Sequence, residues 1–574
     1  MRKCGVMGFG YDDVVEKNVE VFKGNESVVS GKLTFGKLKG IVVFFANDLL
    51  RVNALSAGET YDQLVLKDDG GDFYTIINCT VEAFSIEAEL ILEGRSFLLN
   101  KAKLYVRYNV VSRWFNDRNG IDDSSSRQDR VVTWSANQEQ FEVEVLSVDK
   151  PFSVKSSSAN GCQRVNEDFV IHEHVNFCIE PIGCEFSIVE FKDRVHELLV
   201  YFVIVMGMPA DVNSIYLRND DGDVRDGYFP AFVREPNHEY EAAGGLYAFL
   251  TADDVKDHWH ESLNNYFSVA MVKRRDLWLR LAGMKSYKGF WEYEVLGYFF
   301  LLEAYVDSVY VADMEKSKAK PKNLKLKEDM KEYAKTLPSE YKDKVLEFAN
   351  RLSVKEIGPS FMDKYRYAVS VCNKEVVEII SLSDSGVKFV MGIRNKIAHG
   401  DKHNLSKGDF AKVGVVMSKI VALLTCWAYD DFGLNGKALE FLLHSRNRLI
   451  FRAKINAEAR DRISGQAKFI NVSVNDFERA KSLDSVFVSQ SGNYVLCEKL
   501  SERLVEWRNA AKPGRIDWNT VFSGVDEDAE VYEMEFCGKA YLSCIDAGEE
   551  RKKELILAYF VKAISPPDAT VGNG

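Results

Sequence analysis

Alternating apolar and polar residues dominate the first third of the chain. The pattern is clearest in three segments, which are 88–92, 103–108 and 141–145. Because successive side chains of a strand point to opposite faces, a period of two predicts half-buried strands. A further strand is predicted over 169–179, and the polar stretch 122–128 predicts a loop. We therefore expect residues 1–240 to form a β-rich domain.

Apolar residues are spaced differently in the middle of the chain, beginning near Leu250. They recur there at intervals of three and four, the spacing of an amphipathic helix. Together with one earlier helix, the predicted helices cover 191–206, 252–273, 290–311, 328–352, 361–367, 387–399 and 407–428. Ser406 and Asp409 have the spacing of a capping box at the last of these starts. The lysine-rich segment 316–327 predicts an exposed connection, and residues 250–455 an all-α domain.

A mixed pattern after residue 455 predicts a third, smaller domain. Segments 531–536 and 540–545 alternate on either side of Gly538 and Lys539, which predicts a β-hairpin that turns at the glycine. Since single cores stop growing near ~250 to 300 residues, the length of the chain requires several domains. The predicted fold class is multidomain α+β: a β-rich N-terminal domain, a helical bundle in the middle and a small α+β domain over 456–574, whose role the sequence does not indicate.

Composition narrows the class of protein. The chain has 46% hydrophobic and 28% charged residues, as ordinary globular proteins do. Its longest apolar run, 198–208, has 11 residues, whereas a membrane-spanning helix needs roughly 20. The first residues lack the features of a secretory signal. The ten cysteines include no C-x-x-C pair, so reduced thiols are expected. These features predict a soluble cytoplasmic protein with no membrane partner.

The net charge and the absence of certain motifs argue against several kinds of binding site. The net charge of −12 argues against non-specific coating of nucleic acid, so any contact with RNA must be local. The sequence has no phosphate-binding loop and no dinucleotide fingerprint, and we expect no cofactor. His172, His174 and Cys178 would face one side of a strand and could hold a metal ion. Structural zinc sites usually have closely paired ligands, so an ordinary strand is favoured and no metal is predicted.

The segment most suggestive of chemistry is 391–400, Met-Gly-Ile-Arg-Asn-Lys-Ile-Ala-His-Gly. Arg394 supplies a planar, always-charged fork that matches phosphate oxygens and stabilises charge at phosphorus. His399 has a side chain whose ordinary pKa near ~6.5 allows proton transfer at cellular pH. These are the groups that metal-free cleavage of RNA requires. The alternative interpretation is a surface arginine and a histidine that interacts with the helix dipole.

The spacing of the pair places it at the end of a helix. Five residues of an ideal helix turn a side chain by roughly 140°, so Arg394 and His399 would not share a face in mid-helix. Gly400 is a natural helix stop, which lets the histidine lie on the last turn or beyond it and swing toward the arginine. His403 is a less favoured second proton carrier, because Gly400 would interrupt the helix between the two histidines.

Arg394-Asn395-Lys396-Ile397-Ala398-His399 resembles the motif of the HEPN superfamily, in which a polar residue follows the arginine and a histidine lies four to six positions after it. The helix 299–305 is similar to the first core helix of that family. The resemblance implies that Glu303 steadies the arginine, with Asp307 as its substitute. It also favours Asn395 as a hydrogen-bond donor to the phosphate. The alternative is a structural role, in which Asn395 forms hydrogen bonds with the loop backbone.

The layout as a whole resembles ApeA-type defence proteins, which join a β-rich domain to a HEPN domain. Segments 31–35 and 88–97, with Arg113 and Trp114, carry that likeness. The resemblance implies a metal-independent endoribonuclease of an anti-phage, abortive-infection system that leaves 2′,3′-cyclic phosphate ends. Transfer RNA is a candidate target, and a phage-derived signal the expected trigger. The alternative is a non-catalytic HEPN module that serves dimerisation or nucleotide binding in a regulatory protein.

The number of proton-transfer groups that RNA cleavage needs predicts an oligomer. Cleavage needs a base for the attacking hydroxyl and an acid for the leaving oxygen, and one motif histidine cannot easily be both at once. HEPN domains usually pair about a two-fold axis, which would bring two copies of Arg394 and His399 into one cleft. We therefore expect a homodimer or a higher even oligomer.

Overall fold

The computed structural model divides the chain into two compact units, Met1–Lys454 and Ile455–Gly574. Described within them are residues 14–36, 39–46, 55–95, 97, 101–115, 121–125, 130–134, 141–165, 168–230, 247–287, 289–310, 324–352, 359–402, 405–490, 492–510 and 531–564. A β-rich first part, a helical middle and a C-terminal sheet with helices succeed one another along the chain. At this level the predicted fold class is confirmed.

Fourteen strands are described in the first unit, and in some, such as Lys103–Tyr108 and Glu142–Val145, every second side chain is buried, as the sequence predicted. They are β1 Val15–Lys23, β2 Glu26–Gly36, β3 Lys39–Phe45, β4 Thr60–Asp68, β5 Phe73–Val81, β6 Ser85–Glu93, β7 Lys103–Tyr108, β8 Ile121–Ser125, β9 Arg130–Trp134, β10 Glu142–Val145, β11 Phe152–Val165, β12 Asp168–Pro181, β13 Val212–Arg218 and β14 Val224–Tyr228.

Six of these strands close into a barrel. The order β6-β3-β2-β1-β4-β5 returns to β6, because β5 also pairs with β6. Fully buried side chains from successive strands, among them Val21, Leu33, Leu66 and Leu90, form the barrel core. Closure pairs both sides of every barrel strand and so removes exposed sheet edges.

The same sheet continues beyond β6 as an open arm. Its order is β14-β13-β7-β12-β11-β10, and every pair in it is antiparallel. Helix α2, Ile188–Met206, packs against β7 of this arm. Its start is fixed by a capping box between Ser187 and Glu190, and its end by Gly207 in the left-handed conformation. The predicted helix over 191–206 is therefore confirmed.

The described part of the first unit also contains helices. In chain order they are α1 Asn109–Phe115, α2, α3 Ala252–Val255, α4 Trp259–Phe267, α5 Val272–Lys285, α6 Trp291–Val309, α7 Leu324–Lys335, α8 Ser339–Arg351, α9 Phe361–Val371, α10 Lys374–Ile380, α11 Asp384–His399, α12 Lys407–Asp431, α13 Lys437–His444 and α14 Arg448–Ala453. The capping box predicted at Ser406 and Asp409 is present at the start of α12.

Helix α6 lies at the centre of the helical middle, where it packs against α5, α9, α11 and α12. Its inward face carries fully buried Phe299, Leu302 and Val306. Among the described residues, α12 is long and apolar enough to cross a membrane, but 61% of its most apolar window is buried. That burial is typical of the core helix of a soluble protein.

Buried hydrogen bonds join the β-rich part to the helices within the first unit. The Tyr429 hydroxyl on α12 donates to the carbonyl of Val205 on α2 at 2.9 Å. The Trp114 indole N–H on α1 donates to the carbonyl of Leu250 at 2.8 Å. Both tyrosine and tryptophan here place a polar tip on a backbone acceptor while the ring fills the core.

Two predicted helices are interrupted. The segment 252–273 contains α3, a 3₁₀ turn at Lys256–His258, α4 and a second 3₁₀ turn at Val269–Met271 before α5 begins. Extended backbone at Ser268 separates α4 from the second 3₁₀ turn, although the apolar spacing runs on. The segment 328–352 is two helices, α7 and α8, because Pro338 has no N–H to continue the first and instead precedes the second.

Two predicted turns were also wrong. Residues 122–125 of the predicted loop 122–128 belong to β8, which pairs with β9. The predicted hairpin at Gly538 is a continuous strand, β18 Val531–Asp546, with a shift of register at the glycine. The chain turns later, at Ala547 and Gly548, which both have positive φ. A glycine within a strand marks an irregularity as readily as a turn.

The second unit is a mixed sheet with helices. Its strands are β15 Ala467–Asn471, β16 Val486–Gln490, β17 Asn493–Leu496, β18 and β19 Glu549–Ile564, in the order β15-β18-β19-β16-β17. Its helices are α15 Ala457–Ser464, α16 Val474–Arg479 and α17 Glu498–Ala510. Phe477 of α16 belongs to one apolar cluster with Phe560, while Leu504 of α17 belongs to another with Val561. Phe560 and Val561 are adjacent in β19 and therefore point to opposite faces of the sheet, so each face has its own apolar cluster.

Candidate active site

Helix α11 carries the Arg-to-His motif, and local interactions define both of its ends. The Ser383 hydroxyl accepts a hydrogen bond from the Gly386 N–H at 3.1 Å, which caps the start. Val387, Val390 and Ile393 recur at three-residue intervals and are buried. At the other end Gly400 has φ 72°, the left-handed conformation of a helix C-cap. The motif therefore lies on the last turns of the helix, as predicted.

Arg394 is held by Glu303 across the packed pair α11 and α6. Its Nη2 donates to Glu303 Oε2 at 2.6 Å, and the two side chains are 28% and 27% exposed. The Phe299 ring, one turn earlier on α6, lies 5.9 Å from the guanidinium carbon. Two contacts from one helix thus fix the arginine while part of its fork stays open to solvent. This is the arrangement predicted for Glu303.

The environment of Glu303 shifts its acidity. Burial raises the pKa of this carboxyl, the positive charge of Arg394 opposes the rise, and Asp307 adds to it. Because burial dominates, the ion pair is formed at a cost in desolvation of the carboxylate. The pair is therefore better suited to holding Arg394 in place than to stabilising the fold.

His399 is the last residue of α11, and its side chain is exposed. No hydrogen bond or ring contact joins it to Arg394 among the described residues. Because the helix stays regular up to His399, the two residues diverge by roughly 140° about its axis. The expectation that Gly400 would let the imidazole swing toward the guanidinium is not met within one chain.

The other residues that the sequence analysis singled out near the motif have different outcomes in the structure. Asn395 is exposed, and its Oδ1 accepts from Arg394 Nη1 at 3.0 Å, so it orients the guanidinium. Asp307 does not substitute for Glu303 but pairs with Lys364 at 2.8 Å. His403, the alternative proton carrier, lies outside the described residues. So does most of the lysine-rich segment, whose last residues begin α7.

The surface around the motif is locally basic in an acidic protein. Between residues 388 and 412 the sequence has six basic residues and two aspartates. Lys388, Lys396, Lys402, Lys407 and Lys412 are all exposed, and none forms an ion pair with another described residue. Such a patch supplies the local positive charge that contact with phosphates requires.

The other candidate residues do not assemble into a site. In the part of the chain that the structure describes, no group of three or more His, Cys, Asp or Glu side chains is placed to hold a metal ion. Cys178 is buried in β12, while the side chain of His172 lies outside the described residues. Trp259 is 6% exposed and stacks on Phe115, so it is a core residue.

Sequence reasoning did not identify a second group of polar side chains, around Lys285 and Arg448. They line a cavity between the β-rich part and the helices of the first unit. No motif or spacing marks them, since they lie 163 positions apart in the chain. Only packing brings them together.

Comparison with protein-family models, curated proteins and solved structures gives no match to this chain.

Proposed function

We propose that the protein is a metal-independent endoribonuclease of a cytoplasmic anti-phage defence system that acts by abortive infection. The observation that supports it best is the Arg394–Glu303 ion pair at 2.6 Å, which holds a partly exposed guanidinium on the same helix end as an exposed imidazole. The resemblance to HEPN ribonucleases implies this contact between Glu303 and Arg394.

In the proposed reaction Arg394 binds the non-bridging oxygens of the scissile phosphate. Its fork stabilises the charge that builds up when the ribose 2′-oxygen attacks phosphorus. His399 takes the proton from the 2′-hydroxyl or delivers one to the departing 5′-oxygen. The P–O5′ bond breaks, and the products are a 2′,3′-cyclic phosphate and a 5′-hydroxyl end. Asn395 orients the guanidinium through its Oδ1.

The separation of the two side chains supports a site made by two copies of the chain. Arg394 and His399 diverge by roughly 140° on one helix, so a second α11 placed antiparallel can offer its imidazole to the first guanidinium. Two imidazoles in one cleft also provide the acid and the base together. We therefore propose a homodimer or a higher even oligomer as the active form.

The substrate and its control are inferred from the same surface. The exposed lysines between 388 and 412 supply local contacts to RNA phosphates, and transfer RNA is the candidate target. Because an unrestrained ribonuclease would harm its host, we propose that a phage-derived signal activates it. The β-rich part of the first unit is the proposed sensor.

A second candidate function is a non-catalytic HEPN module for dimerisation or nucleotide binding. The observation that favours it is that Arg394 already has both a carboxylate and an amide oxygen as partners. In that case the arginine would be structural and His399 a residue of the surface.

Cleavage of RNA in the presence of EDTA distinguishes the two candidates. We expect the purified wild-type protein to produce cyclic phosphate ends, and His399→Ala to reduce the rate by ~10² to 10⁴, the usual cost of removing an acid or base. His444→Ala is the matched control, since His444 is also an exposed last residue of a helix, α13. Equal cleavage rates for wild type and His399→Ala would dismiss the role assigned to His399, and absence of cleavage by the wild type would leave only the non-catalytic function.

A further inference from the structure

A large cavity lies where the β-rich part of the first unit meets its helices. Its volume is about 1090 Å³. The β-rich side contributes the start of α1 and the loop between α2 and β13, and the helical side contributes parts of α5, α6, α12 and α14. Neither Arg394 nor His399 lines it. The cavity is therefore distinct from the candidate active site.

Basic side chains outnumber acidic ones along its wall. Lys285, Arg448, Arg452 and Lys454 line the cavity, against Asp211 and Glu294. Arg452 is attracted to Glu294, whereas Arg448 has no ion pair with a described residue. In a chain of net charge −12, this excess of positive charge favours an anionic occupant.

Lys285 is the most unusual of these groups. It ends α5 with its Nζ 4.2 Å from the centre of the Phe249 ring, and it has no carboxylate partner among the described residues. Burial lowers the pKa of its amine to about 7. The adjacent Ser286 hydroxyl is buried and makes no hydrogen bond to a described residue. An anion in the cavity would supply both the counter-charge that Lys285 lacks and a hydrogen-bond partner for the Ser286 hydroxyl.

Aromatic rings also line the wall of the cavity. Trp291 and Phe410 meet edge to face with their centres 5.4 Å apart. Phe451 is 87% exposed and Tyr287 41%, so both offer free ring surface at the cavity. Exposed rings beside basic groups are the features that recognise a flat aromatic ring carrying phosphate.

We propose that this cavity binds a nucleoside phosphate, with Lys285, Ser286 and Arg448 holding the phosphate and Trp291, Phe410 and Phe451 stacking on the base. Its volume of about 1090 Å³ is slightly above the range of ~300 to 1000 Å³ for small-molecule sites, which is enough space for a free nucleotide.

The position of the site suggests what the ligand does, and this step depends on the proposed ribonuclease function. Glu294 on the cavity wall and Glu303 at Arg394 lie on the same helix, α6, nine residues or about 14 Å apart. Helix α12, which also lines the cavity, packs against α11. A bound nucleotide would thus contact α6 and α12, which both pack against the motif helix α11. We expect this contact to change the rate of RNA cleavage.

Binding is tested by isothermal titration calorimetry of the full-length protein with ATP, GTP, CTP and UTP, and with adenosine and inorganic phosphate as the two halves of the ligand. We expect at least one nucleotide to bind with micromolar Kd and both halves to bind far more weakly. Lys285→Met and Arg448→Gln should each weaken binding by at least tenfold. Lys273→Met, an exposed position on the same helix and outside the cavity, should leave the Kd unchanged.

Several results would overturn the proposal. They are no binding of any nucleotide at millimolar concentration, binding that Lys285→Met and Arg448→Gln do not affect, phosphate binding as tightly as a nucleotide, or binding of RNA oligomers alone. Arg448 is exposed, so its variant tests the site independently of any change in stability that Lys285→Met causes. Because His399→Ala lies outside the cavity, it should bind the nucleotide normally; failure of the nuclease proposal is thereby separable from failure of this one.

Discussion

At the scale of single residues, the clearest feature is a guanidinium with two oxygen partners supplied from different places. Glu303 reaches Arg394 from α6, and Asn395 reaches it from the next position of its own helix. A guanidinium has five N–H donors, so both contacts together still leave donors for a phosphate. Because Arg394 is partly exposed, these remaining donors are accessible to a phosphate.

Glu303→Gln tests the role of that ion pair. Exposed or half-exposed pairs contribute only ~0 to 1 kcal/mol, so the free energy of unfolding should change by less than ~1 kcal/mol. RNA cleavage should fall by about tenfold, because Arg394 loses the charge that positions it. Urea denaturation and single-turnover cleavage measure the two effects. A loss of stability that accounts for the whole loss of activity would make Glu303 a structural residue, and Glu303→Asp should recover part of the rate.

Lys285→Met should make the protein more stable at neutral pH. The folded state lowers the pKa of this amine to about 7 from an unfolded value near ~10.4, so the charged form is disfavoured by folding. Methionine keeps an unbranched apolar stem against Phe249. We expect a gain of roughly 1 to 3 kcal/mol at pH 7, less than the full shift implies because the side chain is only half-buried.

The pH dependence of that gain has a definite sign. The destabilising effect of Lys285 is fully present below pH 7 and disappears as pH rises toward ~10.4, where the unfolded amine also loses its proton. Thermal melts of both proteins at pH 6, 8 and 10 should therefore converge at high pH. A difference that is constant across this range would mean that the amine does not titrate as proposed.

At the scale of elements, the end of α11 depends on one glycine. Gly400 has φ 72°, and a Cβ added there would meet nothing within 4 Å. Gly400→Ala therefore costs only the strain of the left-handed backbone, about 1 kcal/mol. Frayed backbone at His399 should also reduce RNA cleavage.

Gly392→Ala is the matched control on the same helix. A Cβ there is also free of contacts, and the position lies inside regular helix. Alanine should stabilise by ~0.5 to 1 kcal/mol, because it loses less conformational entropy than glycine on folding. Chemical denaturation should thus give changes of opposite sign for the two variants. Equal effects would show that the conformation of Gly400 does not define the end of the helix.

At the scale of the whole molecule, the proposed completion of the candidate site by a second chain yields a prediction about mixtures. Subunits of wild type and His399→Ala mixed in equal amounts and allowed to exchange should retain about a quarter of the wild-type activity per total protein if both imidazoles of a dimer are needed. Independent chains would retain about half. Mass measurement in solution should give an even number of subunits. A monomer that retains full activity would remove the proposed composite site.

The sequence by itself determined the local structure. The burial period of β7, the capping boxes of α2 and α12 and the end of α11 at Gly400 all depend on residues within a few positions of one another. Such hydrogen bonds and solvent-facing patterns form wherever the segment lies, so they can be read without knowing the fold. The same reason explains the failure at Gly538, where one local signal fits both a turn and an irregular strand.

Only the tertiary structure decided which distant residues meet. Glu303 and Asp307 are both acidic and one turn apart on α6, yet only Glu303 contacts Arg394, because the packing of α6 on α11 brings its turn against the guanidinium. Closure of the barrel depends on the pairings of β1 with β4 and of β3 with β6, and these pairings and the cavity around Lys285 have the same origin. These contacts span tens to hundreds of residues, and the packing of whole elements fixes their partners, which no local pattern encodes.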